Sequence, residues 1–139
     1  MDTPLKDSRD PADLHPKLQP LYASFVAQAQ ARGIKTVTSC TYRPAALQDR
    51  YYASGRTAPG RIITNAKGGE SPHNCTLGGK PASKAFDIYP VSGTALAPAG
   101  DPRWKALAEI GKGLGLVWGG DFRSIKDNPH FELPDWKAC

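Results

Sequence analysis

Residues 56–83 place the tightest limit on what this chain can fold into. The segment is rich in Gly, Pro, Ser, Asn and Lys and sustains neither a helical nor a strand period, which predicts a long irregular region. Regular structure is left to the flanks, and long irregular segments inside compact domains often carry function. The 139 residues, 40% apolar and 22% charged, are enough for one core, so a single domain spanning 1–139 is expected.

The flanks supply the elements. Asp10-Pro11 pairs a capping carboxylate with a proline at the first helical position, and Leu14, Leu18, Leu21, Tyr22, Phe25, Val26 and Ala29 follow near helical spacing up to Gly33. Pro16 and Pro20 interrupt the pattern, so the regular helix is expected from about Pro20. Ile34 to Ser39 reads as a strand, Pro44 to Ser54 as a second helix stopped by Gly55, and Ala85 to Tyr89 as a short strand followed by a connection from Pro90 to Gly100. Asp101-Pro102 opens a third helix ending near Gly113 or Gly115, and strands are expected at 116–118 and 130–133. The order predicts an α+β fold, a small antiparallel sheet with about three helices packed around it.

Charge and cysteine content narrow the classes. A net charge of +5 favours polyanionic partners without choosing among nucleic acid, acidic lipid and an anionic wall. No apolar run approaches the roughly 20 residues that cross a bilayer, so no membrane insertion is expected. The start, Met-Asp-Thr-Pro-Leu-Lys-Asp, has no apolar segment of secretory type, so the chain is expected to be made in the cytoplasm. Cys40, Cys75 and Cys139 are too few and too scattered for a disulfide scaffold, although a Cys40–Cys75 bridge could form in an oxidising compartment.

Two of the three histidines stand in unusual settings, His73 in Ser71-Pro72-His73 and His130 in Asp127-Asn128-Pro129-His130. Asp87 lies within the apolar strand Phe86-Asp87-Ile88-Tyr89, where an unpaired charge is costly and a cation compensates. His73, Asp87 and His130 therefore supply a ligand set for one catalytic Zn²⁺, with pairing of Asp87 to Arg43 or Lys84 as the plainer alternative. Asp127 could hang beside such an ion as general base and then acid; Glu132 and Asp121 compete for the role, and spacing does not decide. Arg43, between the first strand and the second helix, could stabilise an oxyanion, clamp a carboxylate, or form an ordinary ion pair. Gln48, one turn on, could touch substrate or solvent.

The ordered blocks Tyr42-Arg43, Gln48, Gly55-Arg56-Thr57, Ser71-x-His73, Ala85-Phe86-Asp87, Trp118-Gly119-Gly120-Asp121-Phe122 and Asp127-x-Pro129-His130-Phe131-Glu132 resemble the L-alanyl-D-glutamate endopeptidases of phage endolysins, zinc peptidases grouped with D-alanyl-D-alanine carboxypeptidases. The resemblance implies that His73, Asp87 and His130 hold the zinc, that Asp127 is the catalytic carboxylate, and that Arg43 stabilises the substrate carbonyl. It makes Ser71 a support and lets Trp118 and Asp121 shape the site floor. The family's commoner Ser-x-His-x-x-Gly-x-Ala-x-Asp pattern is stretched here by residues 74–83, which read as an inserted turn or hairpin.

The resulting expectation is a monomeric zinc peptidase acting on the peptidoglycan stem, at the L-Ala/D-Glu bond, without a separate wall-binding domain or a nucleic-acid partner. As a phage lysin it would wait in the host cytoplasm until another protein opens the inner membrane, and then act in the periplasm. A D-Ala-D-Ala carboxypeptidase is the alternative within the same chemistry. A basic wall- or nucleic-acid-binding module without catalysis is the alternative outside it, resting on Arg56, Arg61, Lys67, Lys80 and Lys84 in the central segment.

Overall fold

The computed structural model describes residues 5–138. Three helices, α1 (Gln19–Ala31), α2 (Ala45–Ala53) and α3 (Pro102–Gly113), accompany the strands β1 (Thr36–Cys40), β2 (Thr76–Leu77), β3 (Lys80–Pro81), β4 (Ala85–Ser92), β5 (Ala95–Leu96), β6 (Val117–Trp118) and β7 (His130–Glu132). The main sheet runs β1-β4-β7-β6, every pairing antiparallel, with β5 beside the far end of β4; β2 and β3 form a separate hairpin. This is the expected α+β architecture.

Asp10 caps only a one-turn helix, Pro11–Asp13, and the regular α1 begins at Gln19, where the prolines allow it. The third helix matches its cap: Asp101 accepts from the Arg103 N–H, and Pro102 takes the first position. One boundary differs from expectation. β4 continues through Pro90 to Ser92 instead of stopping at Tyr89. The Ile88 N–H, on the side that Pro90 would share, already reaches the Pro129 carbonyl, just ahead of the first β7 residue His130, so β7 does not extend to where Pro90 lacks its donor.

Period-two alternation sorts the two central strands. Phe86 and Ile88 of β4 and Phe131 of β7 join Leu14, Leu18, Phe25, Leu107 and Ile110 in the core between sheet and helices. The ring of Phe25 meets those of Phe86 and Phe131 edge-on, with centroids 5.4 and 4.8 Å away. α3 approaches β7 through Gly111, where an added Cβ would run into the Phe131 ring. Asp87, His130 and Glu132 fall on the opposite face, away from α1 and α3. Among the described residues no helix is long and apolar enough to cross a membrane.

Candidate metal centre

The register does the first part of the assembly, because Asp87 pairs directly with His130 across the β4–β7 ladder. His73 arrives from a single helical turn, Pro72–Asn74. That turn is fixed by Ser71, whose hydroxyl accepts from the His73 N–H at 3.2 Å while its own N–H donates to Asn74 Oδ1.

His73 Nε2, Asp87 Oδ1 and His130 Nδ1 lie 3.1, 3.2 and 3.2 Å from one another. A tetrahedral ion with bonds of about 2.0–2.1 Å sets its ligand atoms roughly 3.3 Å apart, so the three atoms fit one face of such an ion. The remaining ring nitrogens choose the tautomers. His73 Nδ1 lies 2.9 Å from the Thr41 carbonyl, which can only accept, so Nδ1 carries the proton and Nε2 presents its lone pair. His130 Nε2 lies 2.7 Å from Glu132 Oε1, which orients the second ring in the same way.

The local field favours a cation. Burial alone would lower the His130 pKa, but hydrogen bonds to Asp87 and Glu132 outweigh it and bring the value to about 10. Burial would likewise raise Asp87, yet with protons on the two imidazoles in the ion's place the positive charge of His73 and hydrogen bonds from both rings hold it well below the usual carboxylate range. Asp87 is thus met by the two imidazoles, while Arg43 pairs with Asp7. Asp127 stands at the rim, its Oδ2 3.9 Å from His130 Nδ1 and its side chain 45% exposed. Desolvation and the neighbouring Asp87 charge raise its pKa, the direction that suits a proton carrier.

Among the described residues, two groups of side chains bring their ligand atoms within 4.8 Å of one another: Asp87, Asp127 and His130, and Cys40, His73 and Asp87. Cys40 is a free buried thiol, so the Cys40–Cys75 bridge does not form; burial pushes its pKa up and keeps it neutral.

A cavity of about 320 Å³ opens over these groups, lined by Arg43, Gln48, Ser71, His73, Asp127, His130 and Trp136. It continues past Phe122 and Asp127 into an open groove of about 800 Å³ flanked by Ile63, Asn65 and Ile125. Arg43 reaches the cavity from the β1–α2 junction, and Gln48, buried, accepts from its Nη1 at 3.1 Å. Gln48 therefore braces the arginine.

Two expected floor residues stand elsewhere. Asp121 points outward from the helical turn Gly119–Asp121 into an exposed ion pair with Lys112 at 2.8 Å, so it does not shape the cleft. Trp118 works from behind, its Nε1 donating to the Asn128 carbonyl at 2.7 Å, which pins the loop between Asp127 and His130. Gly119 is needed there too, since a Cβ on it would press on the Asp127 carbonyl and on His130. Glu132, weighed as a rival base, is largely buried in the cavity wall and meets His130 on the nitrogen turned away from the ligand triangle.

The family of D-alanyl-D-alanine carboxypeptidases matches residues 64–133, which contain every member of the ligand triangle as well as Asp127. Across 136 residues the chain is 37% identical to the peptidoglycan L-alanyl-D-glutamate endopeptidase CwlK of Bacillus subtilis strain 168, covering 93% of this chain and 78% of CwlK. The chain belongs to the D-alanyl-D-alanine carboxypeptidase family of metallopeptidases. Its fold also matches the crystal structure of the Serratia marcescens L-Ala D-Glu endopeptidase ChiX, with a TM-score of 0.58 at 16% identity over 99% of this chain and 94% of that one. Within this family fold, the stretch between His73 and Asp87 is the β2–β3 hairpin, closed at its base by the Ala82 N–H on the Cys75 carbonyl. The hairpin leaves after His73 and returns ahead of Asp87, so both side chains keep their places in the triangle.

Proposed function

We propose that the protein is a zinc-dependent peptidoglycan endopeptidase that cleaves the stem peptide between L-Ala and D-Glu. The observation that carries this reading is the triangle of His73, Asp87 and His130 with Asp127 at its edge, in a chain related to CwlK. His73, Asp87 and His130 would hold the ion. Zinc bound there supplies Lewis acidity toward the scissile carbonyl and makes water a stronger nucleophile near neutral pH.

The chain's own groups supply the rest. Thr41 and Glu132 hold the two imidazoles in the tautomers that face the ion. Asp127 takes the proton from the attacking water and returns it to the leaving amine of D-Glu, a transfer suited to its raised pKa. Arg43 lines the same cavity and stabilises the negative oxygen that develops on the carbonyl.

The test incubates the protein with isolated sacculi, with chelator and then with added zinc, and identifies the products by mass spectrometry. Zinc-restored release of peptides with a new D-Glu amino terminus is expected. Free D-Ala instead would move the protein to the carboxypeptidase activity for which its family is described, and no product with any metal would overturn catalysis.

The deployment proposed with this activity is that of a monomeric phage lysin, stored in the host cytoplasm and reaching the wall once another protein opens the inner membrane. Its support is the resemblance in the ordered sequence blocks. Expression in a bacterial host should leave cells intact until the membrane is permeabilised, and then lyse them. Lysis without permeabilisation would overturn the need for a membrane-opening partner.

A further inference from the structure

We propose that Asp7 is the positioning residue for Arg43, so that the segment ahead of the first helical turn is a working part of the site. Nothing in the sequence pattern marks Asp7, and it lies outside the family-matched residues 64–133. The segment is laid along the strand end that precedes Arg43. The Ser8 N–H donates to the Tyr42 carbonyl at 2.8 Å, the Thr41 N–H to the Ser8 carbonyl at 2.7 Å, and the Thr41 hydroxyl to the Asp10 carbonyl at 2.9 Å.

Asp7 then grips the guanidinium at its Nε edge, where it also accepts from the Cys40 thiol at 3.4 Å. Its Oδ1 accepts from Arg43 Nε at 2.7 Å, the short distance of a charge-assisted bond, and its Oδ2 accepts from the Tyr51 hydroxyl at 3.2 Å. The Tyr51 ring lies 4.7 Å from the guanidinium carbon, and Gln48 takes one Nη1 proton. One Nη2 proton points at the Cys40 sulfur, 3.8 Å away. Each terminal nitrogen keeps one further N–H, and the side chain lines the cavity, so the donors left over are those available to a substrate oxygen.

The arrangement also answers an electrostatic need. The Arg43 side chain is 15% exposed and lines the same cavity as His73 and His130. Asp7 gives the guanidinium its own counter-charge. Without it, Arg43 would be a largely buried cation free to swing toward Asp87, whose charge it already feels.

The inference rests on the hydrolytic reading for its kinetic effect, and on geometry alone for its spectroscopic one. The experiment combines Asp7→Ala and Asp7→Asn with Arg43→Ala, singly and doubly, in the zinc-loaded full chain. Asp7→Ala should lower kcat/KM by about 10- to 100-fold, the scale on which a supporting carboxylate acts, mainly through kcat and with metal content unchanged. In the Arg43→Ala background it should cause no further loss, since the two residues act as one unit. By nitrogen-15 NMR the Arg43 Nε–H should exchange slowly in the native protein and rapidly in both Asp7 variants. Asp7→Asn, nearly isosteric, serves if Asp7→Ala does not fold. Equal losses in both backgrounds, or an Arg43 Nε–H signal indifferent to Asp7, would overturn the proposal. A native protein that cleaves no wall peptide would overturn the hydrolytic reading instead, leaving the NMR result to decide on Asp7.

Discussion

The two faces of the β4–β7 ladder are made by the same few residues and do opposite things. One face carries Phe86, Ile88 and Phe131 into the core under α1 and α3; the other carries His130 and Glu132 to the cavity and Asp87 to the two imidazoles. A strand of alternating character thus separates cohesion from chemistry at single-residue spacing. Loss on the cavity face should remove metal or turnover while the protein stays folded, and loss on the helix face should lower stability while the folded fraction keeps its activity.

The strongest break comes from the ligands. His73→Ala or His130→Ala should lose the bound ion and all measurable hydrolysis, with near-native circular dichroism; stoichiometric metal in either variant, by plasma mass spectrometry, would contradict the assignment. Asp127→Ala should keep its metal and lose about 10²–10⁴-fold in kcat, the usual contribution of a general acid–base group. Normal turnover in this variant would move the role elsewhere. Glu132→Gln, which leaves His130 oriented by a neutral partner, should cost about 10- to 100-fold in metal affinity or activity. Competition against a chromogenic chelator measures it.

On the helix face, Gly111→Ala forces a methyl group against the Phe131 ring and should destabilise by about 1–3 kcal/mol in urea unfolding, with specific activity per folded molecule unchanged. The smallest effect lies away from both faces, at the α3 cap. Hydrogen bonds from Arg103 hold the Asp101 pKa down to about 2. A depressed folded-state pKa contributes stability above the unfolded value of about 3.9, and that contribution is lost as pH falls toward 2. The melting-temperature gap between native protein and Asp101→Asn should therefore narrow over that window.

The ladder was legible in the sequence because alternation is local. Phe86-Asp87-Ile88 and His130-Phe131-Glu132 announce which side chains share a face, and capping chemistry placed α3. Which imidazole nitrogen Glu132 would take was not legible, because strand spacing fixes a face and not a rotamer. Asp121 was misplaced for a related reason: one helical turn after Trp118 aims it at Lys112. Asp7 left no trace at all, since its partner stands far along the chain and only the path of the backbone brings them together. The irregular 56–83 segment was legible as loop, but the cleft wall it builds from Thr64, Ala66 and Glu70 depends on long-range packing.

The hairpin between His73 and Asp87 has a further use. Gly78 and Gly79 both adopt positive φ, the two-residue turn that antiparallel strands prefer, and Thr76, Leu77, Lys80 and Pro81 around them are exposed. The base is clasped by the Ala82 N–H on Cys75 and the Lys84 N–H on Pro72. For an engineer this is a socket: a wall-targeting peptide or fluorescent reporter spliced between the two glycines would extend into solvent, tethered within a few residues of the proposed ligands His73 and Asp87 and held away from them by the clasp below.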